Sequence, residues 1–154
     1  MAQRISRDIP LAEITLRKYE KPYELEEREL VRKLCLSTGL LQPGDSRDVI
    51  VDILYVLLQA KRERKQLSCE EVQSFVIASR KEAKATLIGI APSNIRRQLK
   101  RLRDMFFLEK IGNRYRVNEY ESISKIFEEK IEQYLLASVI GRIKDYASLV
   151  DKQF

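Results

Sequence analysis

The sequence predicts a mainly α fold with one small β-hairpin and helical extensions on both sides. Three observations carry this. Over 92–117, PSNIRRQLKRLRDMFFLEKIGNRYRV, the residues Ile95, Leu99, Leu102 and Phe106 recur at i, i+4, i+7 and i+11, one apolar stripe at helical period. Gly112-Asn113 then separates two short β-prone runs, 107–111 and 114–117, and Gly tolerates the positive φ that primed hairpin turns need. Apolar residues at helical spacing also fill 24–36, 47–64 and 120–150.

The charge is unevenly placed. The chain of 154 residues carries 29 Lys or Arg against 23 Asp or Glu, a formal excess of +6. Eight of those bases and two of those acids lie in 92–117, so the remainder balances at 21 against 21. On a helical wheel over 92–105 the side opposite the stripe carries Ser93, Arg97, Lys100 and Asp104, with Arg96, Arg101 and Arg103 on the flanks. A dispersed surplus serves solubility; one concentrated on a helix and its hairpin is a candidate footprint for a polyanion.

These residues resemble the recognition helix and wing of the winged helix-turn-helix superfamily. The matching pattern is a small polar start (Ser93-Asn94), an Ile, a basic pair, Leu-x-x-Leu, a hydrophobic FLEK strand and a Gly turn, preceded by another helix. The resemblance spans residues 46–117. It implies a winged-helix core over 44–117, with 1–43 as an N-terminal arm and helix and 118–154 as a long C-terminal helix. It also implies double-stranded DNA as partner, with helix 92–105 in the major groove and hairpin 107–117 as the wing. Carried over by position, Ser93, Asn94, Arg97 and Lys100 face bases or nearby phosphates. Arg96, Arg101 and Arg103 position the duplex, and Arg114 and Arg116 reach phosphate or the minor groove. About six phosphate contacts would make affinity fall steeply with salt. Transcription regulation is the role expected of this architecture, by analogy of fold. Basic solvent-facing helices also occur in protein-docking modules, so a winged-helix module binding an acidic protein within a larger assembly is the alternative.

Composition narrows the other classes. There is no His, which removes the commonest general base, and the five Gly are scattered rather than gathered in a phosphate loop. Cys35 and Cys69 lack paired spacing, so a Cys/His zinc site is excluded and two core thiols are expected. No metal, cofactor or catalytic residue is predicted. No apolar run approaches the ~20 residues of a membrane span, and the start MAQRISRDIP lacks an apolar signal core, so a cytoplasmic protein is expected.

In chain order, 1–9 reads as a frayed basic arm. Residues 10–23 read as a short strand or single helical turn, serving either as a strap over the chain's own core or as an arm to a partner. Residues 24–36 read as a helix with Leu25, Leu30, Val31, Leu34 and Cys35 inward and acids leading bases, an order that complements the helix dipole. Gly39 stops it, and Gln42-Pro43-Gly44 makes a turn. Asp45 or Ser46 caps a helix over 47–64 with Val49, Ile50, Ile53, Leu54, Val56, Leu57 and Ala60 inward. Its end, 61–65, is a run of cations, read as a solvated helix terminus or extra phosphate contact.

Leu67 reads as a short strand or staple. Ser68 and Glu71 form a capping box, with Val72, Phe75, Val76 and Ser79 or Ala83 inward. Residues 77–92 are longer than a tight turn; Leu87, Ile88 and Ile90 call for burial, Gly89 for a turn, and Pro92 suits a first helical turn. Residues 120–150 form one helical pattern with a kink expected near Gly141. Tyr120, Ile123, Phe127, Ile131, Tyr134 and Leu135 make one stripe; Val139, Ile143, Tyr146, Leu149 and Val150 make another, out of phase. A helix of ~30 residues at ~1.5 Å each outreaches a small core, so its far half predicts a homodimer seam or a fold-back onto the N-terminal helix.

Overall fold

Helix α2 (Val49–Arg62) is the element on which the others pack, because its sequence VIVDILYVLL is apolar nearly all round. Val49, Ile50, Ile53, Leu54, Val56 and Leu57 are buried as expected, and so are Val51 and Asp52. Each fully buried Leu or Ile contributes about 1.5–3 kcal/mol relative to exposure. The computed structural model describes residues 8–154, and the arm expected over 1–9 lies mostly outside them. Around α2 lie α1 (Glu27–Ser37), α3 (Cys69–Glu82), α4 (Pro92–Asp104) and the hairpin strand β3 (Arg114–Val117), while the other hairpin strand, β2 (Leu108–Ile111), packs on β3 and α4. The two-residue strand β1 (Leu67–Ser68) pairs antiparallel with β3, Leu67 opposite Tyr115, giving the sheet order β1-β3-β2. The molecule is mainly helical with this one small antiparallel sheet.

Local chemistry sets the element ends. Ser68 Oγ accepts from the Glu71 amide and Glu71 Oε1 accepts from the Ser68 amide, the reciprocal box its spacing predicts. In the hairpin, Leu108 stands opposite Val117 and Ile111 opposite Arg114, with φ +60 at Gly112. Gly at the first central position is the pattern of a II′ turn. Pro92 occupies the first turn of α4.

Several expectations are corrected. Helix α1 begins at Glu27 rather than 24, and Leu30 lies outside its buried face, beneath arm residues Tyr19 and Pro22 in a shallow cleft. Helix α2 begins at Val49, and neither Asp45 nor Ser46 caps it. Asp45 Oδ1 instead accepts from the Arg47 amide in a local turn, while the N-cap Asp48 gives its carboxylate to arginines. Phe75 is exposed and Arg80 is buried, because α3 packs through the i, i+4 row Val72, Val76 and Arg80 and leaves Phe75 on its flank. Leu87 and Ile88 are exposed. The 83–91 loop is held instead by backbone acceptors: Arg80 Nε donates to Thr86 O at 2.6 Å, Gln73 Nε2 to Ile90 O at 2.9 Å and Asn94 Nδ2 to Gly89 O at 2.7 Å.

A buried ion network ties α1, α2 and α3. Arg80 donates to Asp48 and Asp52, and Arg28 bridges the same two carboxylates from α1 at 3.0 and 2.9 Å. Burial pushes the Asp48 carboxyl up, but the Arg28 and Arg80 hydrogen bonds outweigh it and hold it below its ordinary value. Both cysteines are buried free thiols, and desolvation pushes Cys35 up to about 12.

Residues 14–20 cross the end of α1 as a strap. The Arg17 amide donates to Ser37 O at 2.9 Å, and its guanidinium donates to Leu36 O at 3.0 Å and Leu41 O at 3.3 Å. Gly39, φ +76, permits the approach: a Cβ there would stand 2.6 Å from Thr15 O.

After the sheet, a 3₁₀ turn (Asn118–Tyr120) leads into one long helical rod. It comprises α5 (Ile123–Ile126), a π-helical stretch (Phe127–Leu136) and α6 (Ala137–Gln153). Tyr120 is therefore outside the rod, and the irregularity lies in the π stretch, not at Gly141, which sits inside α6. Ile126 and Ile131 are buried, and the Phe106 and Tyr134 rings meet edge-on at 6.1 Å, fastening the rod to the end of α4. Helix α6 has no buried residue; Ile143, Tyr146, Leu149 and Val150 are exposed.

Candidate nucleic-acid interface

Helix α4 is amphipathic in the sense its sequence demands. Ile95, Leu99 and Leu102 are fully buried, and Ser93, Arg96, Arg97, Lys100 and Arg103 are exposed on the opposite side. Its first turn carries no acid, and Pro92 removes one amide that would otherwise lack a partner.

The basic residues fall into two groups. Arg97 and Arg103 have no carboxylate within ion-pair distance among the described residues, and Arg96 has only Glu70, at 4.0 Å. Lys100 pairs with Asp104 at 3.0 Å, one helical turn on, with both side chains largely in solvent. Such exposed pairs are worth ~0–1 kcal/mol, so the ammonium exchanges partners readily. These four cations form one outward strip along α4.

Of the other five predicted residues, Ser93 is exposed beside the strip and four are engaged within the chain. Asn94 bridges Gly89 O and Gln98 Nε2, which fixes the loop entering the helix. Arg101 is half-buried, donating to Leu40 O at 2.7 Å and Gln98 Oε1 at 2.9 Å, and so ties α4 to the segment following α1. Arg114 donates to Gln66 O at 3.2 Å and Glu71 Oε1 at 3.0 Å, which closes β1 onto β3. Arg116 Nε donates to Glu109 Oε2 at 2.8 Å with the guanidinium over the Tyr120 ring. Burial lowers the Arg116 pKa, but the Glu109 and Tyr120 partners outweigh it and raise the value, so this group stays cationic and held.

Two basic residues near this face were given no contact by the sequence reading, although Lys110 is one of the eight bases in 92–117. Lys110 on β2 is exposed and leans over the Tyr115 ring at 5.6 Å. Arg47, ahead of α2, stands across a cleft from Arg97 and Arg101. Its placement depends on the path of the α1–α2 connection, which no local spacing announces. Two of the four cations in the second basic run are paired, Arg62 with Glu27 at 3.1 Å and Lys65 with Glu63 at 2.9 Å. Among the described residues no helix is long and apolar enough to cross a membrane, and no group of three or more His, Cys, Asp or Glu is placed to hold a metal ion. Comparison with protein-family models, with curated proteins and with solved structures finds no match for this chain.

Proposed function

We propose that residues 44–117 are a winged helix-turn-helix domain that binds double-stranded DNA, with α4 in the major groove and the β2–β3 hairpin as its wing. The observation that carries this is the outward strip of Arg96, Arg97, Lys100 and Arg103 on a helix whose other side is locked into the core. The order α2-β1-α3-α4-β2-β3, with β1 joined to the hairpin, supports the winged-helix reading. An α-helix fits the major groove, and Arg and Lys at its surface supply both phosphate contact and guanine readout. Of the hairpin arginines, Arg114 can trade its exposed Glu71 for a phosphate, whereas Arg116 serves mainly to brace the hairpin. The role that follows is transcription regulation in the cytoplasm, with no catalytic residue or cofactor assigned.

Helix α6 is read as a homodimer seam. Val139, Ile143, Tyr146 and Val150 step by four, three and four residues along a helix with no buried side chain. A two-fold dimer would set two α4 helices to address half-sites about one DNA turn, ~34 Å, apart. That same exposed stripe also favours a second reading, a protein-docking module in a larger assembly.

Binding of the full chain to a fluorescent random-sequence duplex at two salt concentrations tests the proposal. Four phosphate contacts give a log–log salt slope of about −3.6, or about 150-fold weaker binding for a fourfold rise in salt. No binding at the lower salt would overturn the reading and leave the docking module.

A further inference from the structure

A cleft of about 300 Å³ opens between the α1–α2 connection and the N-terminal half of α4. Arg47, Arg97 and Arg101 border it, against one carboxylate, Asp45. Its walls include Leu40, Val49 and Ile50. The volume falls at the lower end of small-molecule sites, ~300–1,000 Å³, which combine apolar walls with a few convergent polar groups.

The guanidinium groups are unequally committed. Arg101 is fixed by Leu40 O and Gln98, which presets its plane at the cleft edge. Arg47 touches Asp45 only loosely, Nε to Oδ1 at 3.5 Å, and Arg97 has no carboxylate partner among the described residues. Asp45 is itself occupied, accepting the Arg47 amide at 2.9 Å. The cleft therefore holds more positive charge than its own carboxylate offsets. Arg forks match the two oxygens of a carboxylate or phosphate, and an apolar wall rewards an organic body behind the charge.

We propose that this cleft is a binding site for a compact organic oxyanion, its charged end on Arg97 and Arg47 and its apolar body against Leu40, Val49 and Ile50. The inference goes beyond the nucleic-acid reading and is independent of it. Occupation of the cleft draws Arg97 away from the outer strip of α4, so any polyanion binding there competes with the small anion.

The test uses the full chain without DNA and follows arginine side-chain and Gly89 amide NMR signals. The probes are benzoate, the neutral benzyl alcohol and inorganic sulfate. Benzoate is expected to saturate with a Kd of about 1 mM, the range suited to so small a ligand. Benzyl alcohol is expected to shift nothing, and sulfate to bind less tightly for want of the apolar contact. Arg97→Ala and Arg47→Ala, both at exposed positions, should each weaken benzoate about tenfold with the remaining spectrum preserved. A non-saturating response to benzoate, an equal response to benzyl alcohol, or unchanged affinity in Arg97→Ala would each overturn the site. Sulfate binding as tightly as benzoate would overturn the organic part of the assignment.

Discussion

Arg80 Nη1 donates to Asp52 Oδ2 at 2.5 Å, with side chains only 4% and 2% exposed, joining the last turn of α3 to the first turn of α2. Replacing a whole buried charge network with apolar groups can be neutral, but losing Arg80 alone leaves the carboxylates of Asp52 and Asp48 to share the single guanidinium of Arg28 in a low-dielectric interior. Arg80→Met should therefore destabilise by about 3–5 kcal/mol in urea unfolding. It should also loosen the 83–91 loop, since the same guanidinium holds Thr86 O. A loss under about 1 kcal/mol would mean that water reaches Asp52 once Arg80 is gone.

Acid should attack the same network. The Asp48 carboxyl is held below its ordinary value in the folded chain, chiefly because its arginine partners outweigh burial. A depressed carboxyl contributes stability that is fully present above its unfolded pKa of about 3.9 and is lost as pH falls through the lower folded value. Unfolding midpoints attributable to this group should hold from neutral pH to about 5 and fall below about 4. Asp48→Asn should be less stable at neutral pH and lose less on acidification, as thermal melts across that window will show.

The outer strip of α4 makes a discriminating pair of variants. Arg97→Ala with Lys100→Ala should abolish duplex binding while circular dichroism and melting temperature stay near those of the parent, because both side chains lie in solvent. Arg114→Ala should weaken binding less and destabilise slightly, since its guanidinium closes β1 onto β3. Gel-shift titrations in which the double variant binds like the parent would remove α4 as the contact.

Self-association should map to the second half of the rod. Ile143→Glu with Val150→Glu places like charges on the exposed stripe of α6 and should convert a dimer to a monomer in sedimentation. Because α6 contributes no buried side chain, the melting temperature of the monomeric body should barely move.

The helices, the hairpin and their inward faces were legible wherever one residue pattern decided one local outcome: the α2 stripe, the Ser68–Glu71 box, the Gly112 turn and the Ile95, Leu99 and Leu102 face. What escaped depended on residues far apart in sequence. Asp52 sits inside the apolar run VIVDIL, a signal that it needs a buried partner, but nothing local names Arg80 or Arg28. Likewise Leu87 and Ile88 looked destined for the core, whereas three polar pins on the loop backbone turn them out. On the candidate face, spacing separated outward from inward residues on α4. It could not show that Arg101, Arg114 and Arg116 find acceptors at Leu40, Glu71 and Glu109.

The strap across α1 makes the beginning of the chain a fastener rather than an ornament. The carbonyls of Leu36 and Ser37 at the end of α1, and of Leu41 just beyond it, all converge on Arg17, a single side chain and its amide. Progressive shortening from the amino end should be tolerated until it reaches Arg17 and then fail abruptly. Substituting Gly39 with Ala should mimic that failure in an otherwise intact chain, by forcing the strap off its track.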